Sequence, residues 1–526
     1  MSESPARIIL QQRPRSVTRP SSHRRAPAIR PADCRGVVHL TAEYWPLART
    51  GGLGEAVGGL AALQAASNIP TTVLMPLHRA VRARTTELDP VGDPFMVEIG
   101  PRKEVASLFQ LAGTSGGPRV FLLDHPNYFD RPGIYGSDGS DYADNARRFA
   151  FFARASLAVL PKIAPSAEIL HAHEWHAALA PAYLRAVLAG HPYYDRLAVV
   201  LSVHNAGFHG LFPADTLADV GLPDDLCDSF DWYGGTNLLK GGIAFSDAVV
   251  TVSPAHAREL CSVEGGFGLH ETFGALGDRL TGILNGIDLD VWNPQTDPAI
   301  VASYSRNDFT GKRRCKTALQ RAFGLPEFDR VPLFGVSSRL TTQKGIDLIL
   351  GGMAGNRDAQ FVFLGSGEQR YEQALTALAR LAPDRIGVQL TFTDHREHEL
   401  MAGADMLLMP SLYEPCGLTQ MRAQLYGTLP VARRVGGLAD TIEDGVTGFL
   451  FDDYTPDALA RAAHRATALY DQPDPWQRMM RSAMMRGFGW RRSSARYART
   501  YRQALSHRMA REQNANADAE MSDSRL

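Results

Sequence analysis

Cysteine is scarce in this chain: 5 in 526 residues, scattered at Cys34, Cys227, Cys261, Cys315 and Cys416, with no C-x-x-C pair. An odd, dispersed set excludes a disulfide framework and a cysteine zinc site, and predicts a reducing, cytoplasmic setting. Net charge is nearly absent as well. Lys and Arg total 55 against 56 Asp and Glu, a formal charge of −1. No global field draws such a chain to nucleic acid or an anionic membrane, so any anion site must be local. No uninterrupted apolar run of about 18 residues occurs, which argues against a membrane span. The apolar stretch from Ala150 to Leu160 is broken by Arg154 and reads as a core helix. Repeats of solenoid length are also missing.

What is present is ordinary globular material, 44% hydrophobic and 21% charged, too long for a single core. The first 35 residues differ, with eight arginines against Glu3 and Asp33 and several prolines. That composition fits a disordered extension better than a transit peptide, because the prolines oppose an amphipathic helix. From residue 37 short apolar runs alternate with helical patterns: Val37–Leu40, Thr72–Met75, Val120–Leu123, Ala198–Val203 and Ala248–Val252. The alternation restarts with 333–338, 361–364, 388–391, 406–409 and 429–432. Such spacing predicts two doubly wound parallel sheets, each covered by helices, facing one another across a cleft. The expected division is 36–308, a junction over 309–330, a second domain over 331–490, a returning helix over 491–506 and a polar tail over 507–526.

Ligands of doubly wound sheets bind beyond the carboxyl ends of the strands. Arg339 and Lys344 follow the apolar run 333–338, which puts two cations at the mouth of the second sheet. Glu414 follows the run 406–409 beside a Gly-containing helix start, with Arg422 as a possible partner. Two cations, a helix N-terminus and one acid suit a nucleotide diphosphate carrying a sugar. A charge pair about 4 Å apart near a surface is worth roughly 4 kcal/mol, enough for such contacts to matter to a departing diphosphate. In the first domain, Arg49 adjoins Gly51 and Gly52, where close backbone approach and a guanidinium make an anion pocket. The run His171-Ala-His-Glu-Trp-His176 has metal-like spacing, but no further Cys or His cluster completes a zinc set, so a polar lining of the cleft is expected. His204 and Asn205 end another strand and should open on the same cleft. Gly365, in a Gly-Ser-Gly turn after a strand, is a weaker candidate.

Taken together these segments resemble the bacterial glycogen synthase and plant starch synthase family, retaining glycosyltransferases of the GT-B fold. The resemblance runs from about Val37 to Tyr501. It is carried by RTGGL at 49–53, DRPGIYG at 130–136, HAHEWHAALAP at 171–181, VHN at 203–205, LNGID at 284–288, SRLTTQKG at 338–345, EPCGLTQ at 414–420 and GTLPVARRVGGLADT at 427–441. It implies that Arg339 and Lys344 hold the donor diphosphate and that Glu414 contacts the donor glucose. By the same resemblance His204 lies against the reacting carbon and Asn285 reaches the sugar. Cys416, Gly417, Leu418 and Thr419 help at the helix start, and Gly436, Gly437 and Leu438 lie near the nucleotide. It further implies ADP-glucose and an α-1,4-glucan as substrates and no metal or other cofactor. Departures are Arg49 for the family's Lys, Glu174 and Glu55 for Asp, and Phe208-His209 for Tyr-Gln. Glu174 and Asn205 are counted with the donor-binding group. Two other readings stay open: a different nucleotide sugar or a short acceptor on the same fold, and a non-catalytic sensor.

Overall fold

The computed structural model describes residues 34–523 except 86, 113–115, 138 and 353–357, with side chains described as far as 513. Most of the Arg-rich extension therefore lies outside the described residues.

The apolar runs become the central strands of two sheets. The first sheet has ten strands and runs Leu280–Gly282, Ala248–Thr251, Ala198–Val203, Ile169–His173, Val37–Leu40, Thr71–Pro76, Arg119–Asp124, Arg102–Leu111, Leu88–Pro90, with Phe95–Ile99 also paired to Arg102–Leu111. The first seven in that order pair in parallel, and the edge beyond Arg119–Asp124 is antiparallel. The second sheet has six parallel strands: Ile386–Gln389, Gln360–Leu364, Leu333–Ser337, Met406–Met409, Leu429–Arg433 and Phe449–Phe451. Central strands such as Val37–Leu40 and Leu333–Ser337 are buried along their whole length, as parallel strands covered on both faces must be.

The segment 309–330, expected to join the domains, holds a helix over Thr310–Ala322. Its Cys315 and Leu319 share a core with Leu400 and Met401 of the helix Asp394–Gly403. Two of the charges that made it look like a linker, Lys312 and Lys316, are buried and satisfied. Lys312 Nζ donates to the Ala402 and Ala404 carbonyls and to Thr428 Oγ1, and Lys316 pairs with Asp405 at 2.7 Å. Burial pulls the Lys312 ammonium down to about 8, the direction expected for a cation removed from water.

The returning helix is longer than expected. It spans Arg491–Asp523, so residues assigned to a polar tail from 507 are helical as far as 523. Tyr497, Ala498, Tyr501 and Ala504 pack on Val37, Ile169, Ala198, Val200 and Val250, which closes one face of the first sheet. The crossing is tight at Gly59, where a Cβ would stand 2.0 Å from the indole Nε1 of Trp490. Gly59→Ala is expected to lower stability by about 1–3 kcal/mol, read as a lower urea midpoint with unchanged slope. An unshifted midpoint would mean that the indole can move aside.

Candidate active site

The carboxyl ends of the two sheets meet. Arg339 follows the strand Leu333–Ser337 and is exposed; Gln343 Oε1 lies 3.5 Å from its guanidinium. Lys344 closes the short turn after it and donates to Glu414 Oε2 at 2.6 Å, which also accepts from Ser411 Oγ at 2.9 Å. Glu414 is only 6% exposed, so the carboxylate is held inside by one cation and one hydroxyl. The partner foreseen for it, Arg422, is engaged elsewhere, with Glu397 and Glu55. Burial works against the Arg422 cation, but the two carboxylates hold it above its usual value.

Around Glu414 the loops fit backbone to backbone. Gly437 N donates to Glu414 O at 3.0 Å. Gly436 has φ +42, and a Cβ there would stand 2.1 Å from the same carbonyl, so a side chain is excluded by both conformation and space. Leu438 is fully buried beneath this contact. Cys416 is buried, its thiol pushed up to about 12 by loss of water. Gly417 and Leu418 lead into the helix Thr419–Leu425, whose start carries no side-chain cap. Gly365, the weaker candidate, has φ +139, and a Cβ there would meet Ser338 O at 2.0 Å. Asn285 is buried, and its Oδ1 has no hydrogen-bond partner among the described residues. It lines a cavity of about 280 Å³ with Leu284, Met421, Asp440 and Arg492.

On the first domain, Arg49 departs from the expected anion pocket. Its guanidinium lies over Trp45 at 4.1 Å and is bonded to Glu55 and, across the cleft, to Asp394. Since Glu55 also binds Arg422, these charges tie one domain to the other. What orders the glycine turn is Glu43, which the sequence reading missed. Its buried carboxylate accepts from Thr50 N and Thr50 Oγ1 at 2.7 Å, from Gly51 N at 3.4 Å and from Tyr135 OH at 2.6 Å. Gly52 then faces Leu418, 3.6 Å from where a Cβ would be.

Glu174 acts likewise and is buried instead of lining the cleft. At φ +63 it sits in a backbone region uncommon for a residue with a side chain. Its Oε1 accepts from the His204 and Asn205 amides at 2.6 and 2.7 Å, while Oε2 is buried without a partner among the described residues. Burial raises this carboxyl to about 8 despite those amides. His204 and Asn205 are half-buried at the cleft. From the other side Tyr413, the residue before Glu414, has its hydroxyl beside Gly207 together with Asn205 Oδ1, and its ring meets Phe267 edge-on at 4.9 Å.

His171, His173 and His176 do not line the cleft as expected. All three are buried, and His176 stacks on Tyr135 at 4.4 Å. His39, His171 and His173 bring one ring nitrogen each within 4.8 Å of one another, an arrangement able to hold a metal ion. Every ring nitrogen of the three nevertheless has a hydrogen-bond partner: Gln64, Tyr501, Ser202, His204, or the His39–His173 contact itself. Burial pulls His39 and His204 down to about 4 and the other two well below the usual imidazole range. All are neutral near pH 7. Of the two acceptor-side departures, Phe208 is 50% exposed and His209 is buried against Asn237 and Trp232.

Two parallel sheets facing across a cleft lined with cations, amides and one buried acid define a GT-B glycosyltransferase. The starch synthase catalytic domain model matches residues 36–275, and the glycosyl transferases group 1 model matches 321–481. A glycogen synthase of Syntrophotalea carbinolica is 40% identical over 479 residues, covering 89% of this chain and 99% of the relative. Glycogen synthase 2 of Geobacter sulfurreducens is 39% identical over 482 residues, covering 90% and 99%. The catalytic domain of starch synthase IV from Arabidopsis thaliana, solved bound to ADP and acarbose, superposes with a TM-score of 0.82 at 31% identity, covering 90% of this chain and all of that one. Sucrose-phosphate synthase from Thermosynechococcus elongatus, at TM-score 0.57 and 17% identity, shares the fold alone. The chain belongs to the glycogen synthase and starch synthase family and is a glucosyltransferase of glycogen synthesis.

The raised Glu174 carboxyl has a sign that can be tested. In the unfolded chain it loses its proton near 4.5, but in the fold only near 8. Between those values the folded state holds the extra proton, so stability falls as pH rises through that window. Glu174→Gln, which cannot ionise, is expected to gain stability relative to the parent between pH 5 and pH 8. Thermal melts of both proteins across that range measure it; parallel pH profiles would contradict the assignment.

Proposed function

We propose that the chain transfers an α-glucosyl unit from ADP-glucose to the non-reducing 4-hydroxyl of an α-1,4-glucan, with retention at the anomeric carbon, in the cytoplasm. The observation carrying this reading is the Lys344–Glu414 contact at the meeting of the two sheets, with Arg339 exposed beside it. In this reading the diphosphate settles between Arg339 and Lys344. Their charges stabilise it as the glycosidic bond breaks and negative charge grows on the leaving oxygen. The two side chains take the part that a divalent cation plays in other reactions with phosphate leaving groups, and no metal is assigned. Glu414, His204, Asn205 and Asn285 bear on the hexose, while the amides of 416–419 and 436–438 bear on the nucleotide side.

The ammonium is already half-buried against a carboxylate, so little rearrangement is needed for it to meet a phosphate oxygen. Closure of the domains excludes water that would hydrolyse the donor. Contacts across the cleft support a closed state: Ser253 Oγ to Pro415 O at 2.7 Å, Gly436 N to Glu259 Oε1 at 2.7 Å, and the Phe267–Tyr413 edge contact at 4.9 Å. Cys227, Cys261, Cys315 and Cys416 stand outside any disulfide among the described residues, which agrees with the compartment, and no helix among the described residues is long and apolar enough to cross a membrane.

Lys344→Ala and Glu414→Ala are each expected to lower kcat for glycogen extension from ADP-glucose by at least about a hundredfold. Parental turnover in both would remove the proposed site. A panel of ADP-, UDP- and GDP-glucose, with glycogen and maltose as acceptors, checks the substrate pair. Preference for another donor, or for maltose, would favour a related transferase, and binding without turnover a sensor.

A further inference from the structure

The buried histidines form a single file of hydrogen bonds that ends at the cleft. His39 and His171 are register neighbours on adjacent strands. Residues two apart on a strand share a face, so His171 and His173 point the same way. That face is covered by Gln64 from the helix Gly52–Ala66 and Tyr501 from the returning helix, which bond each other at 2.7 Å. In order, the contacts are His204 Nε2 to His173 Nδ1 at 3.1 Å, His173 Nε2 to His39 Nδ1 at 2.9 Å and His39 Nε2 to Gln64 Oε1 at 2.7 Å. Beyond the Gln64–Tyr501 bond, Tyr501 OH meets His171 Nδ1 at 2.9 Å and His171 Nε2 meets Ser202 Oγ at 2.7 Å.

A neutral imidazole has one donor and one acceptor nitrogen, so a file of them has one polarity throughout. The Gln64 amide sets it. Gln64 Oε1 only accepts, so His39 carries its proton on Nε2 and offers a lone pair at Nδ1. His173 must then donate from Nε2 and accept at Nδ1, and His204 must donate from Nε2. We infer that Gln64, held by Tyr501, is a positioning residue that fixes the tautomer of His204, leaving its Nδ1 unprotonated and able only to accept a hydrogen bond from a sugar hydroxyl in the cleft. The His204 ring bonds the described residues through Nε2 alone, to His173. The low proton affinities of all four imidazoles support the argument, because a doubly protonated ring would break the file.

The sugar contact rests on the reading proposed above, but the tautomer does not. It is therefore measured first without substrate, by long-range proton–nitrogen NMR of 15N-histidine protein, with His204 assigned by its loss in His204→Ala. The expected state is a proton on Nε2 and none on Nδ1; a proton on Nδ1 overturns the inference. Two variants then separate polarity from packing. Gln64→Glu still accepts from His39 and keeps the direction of the file toward His204. Gln64→Met is apolar and similar in shape, but ends the file. A packing role predicts that Met is tolerated and a buried carboxylate is not; the inference predicts the reverse. Gln64→Glu should keep one His204 tautomer and most of its kcat. Gln64→Met should give mixed tautomers and a kcat lower by about tenfold to a hundredfold, with KM little changed. Tyr501→Phe, which frees the Gln64 amide to turn, provides a second route to the mixture should Gln64→Met fail to fold. A single Nε2–H tautomer in every variant that folds, or better turnover in Met than in Glu, overturns the inference.

Discussion

The ion pair between Lys344 and Glu414 is the constraint around which the cleft is built. Seventy residues separate the two, and 2.6 Å joins them. Both loops leave the carboxyl ends of neighbouring strands, Leu333–Ser337 and Met406–Met409, so the sheet brings them together and the charges fix the last few ångströms. A carboxylate buried with one cation and one hydroxyl is stable only while those partners remain. It therefore keeps the half-buried ammonium at the mouth of the sheet.

The facing domain presents its loops by a different means, with acids that bind backbone amides in place of cations. Glu43 gathers Thr50 and Gly51, and Glu174 gathers His204 and Asn205. The two domains are then held by a charge network in which buried Arg422 bridges Glu397 of one and Glu55 of the other, with Arg49 reaching Asp394. Arg49 and Glu55, the two positions at which the sequence resemblance expected Lys and Asp, both belong to this network. The longer guanidinium and the longer acid act together across the cleft.

Much of this was legible in sequence because buried parallel strands read as unbroken apolar runs, and the positions just after them lie where the carboxyl ends of the two sheets meet. Arg339, Lys344 and Glu414 stood out for that reason. The antiparallel edge, with alternating charge in Arg102–Leu111, and three-residue strands such as Phe449–Phe451 left too weak a pattern. A density of charges with no sheet period made the helix Thr310–Ala322 look like a linker, although two of those charges, Lys312 and Lys316, are buried. Gln64 and Tyr501 gave no local signal because they lie 437 residues apart in the chain; Glu43 is only 7 residues from Thr50, but no sequence pattern marks it as the acceptor for that turn. The one available cue was the His-Ala-His alternation, which places two imidazoles on one strand face.

The most direct test of the central claim is a crystal structure of this protein grown with ADP. The account predicts the pyrophosphate between the Arg339 guanidinium and the Lys344 ammonium, at the carboxyl end of the strand Leu333–Ser337, with Glu414 still beside the lysine. A nucleotide bound elsewhere, or either cation turned to bulk solvent with the diphosphate in place, would contradict it.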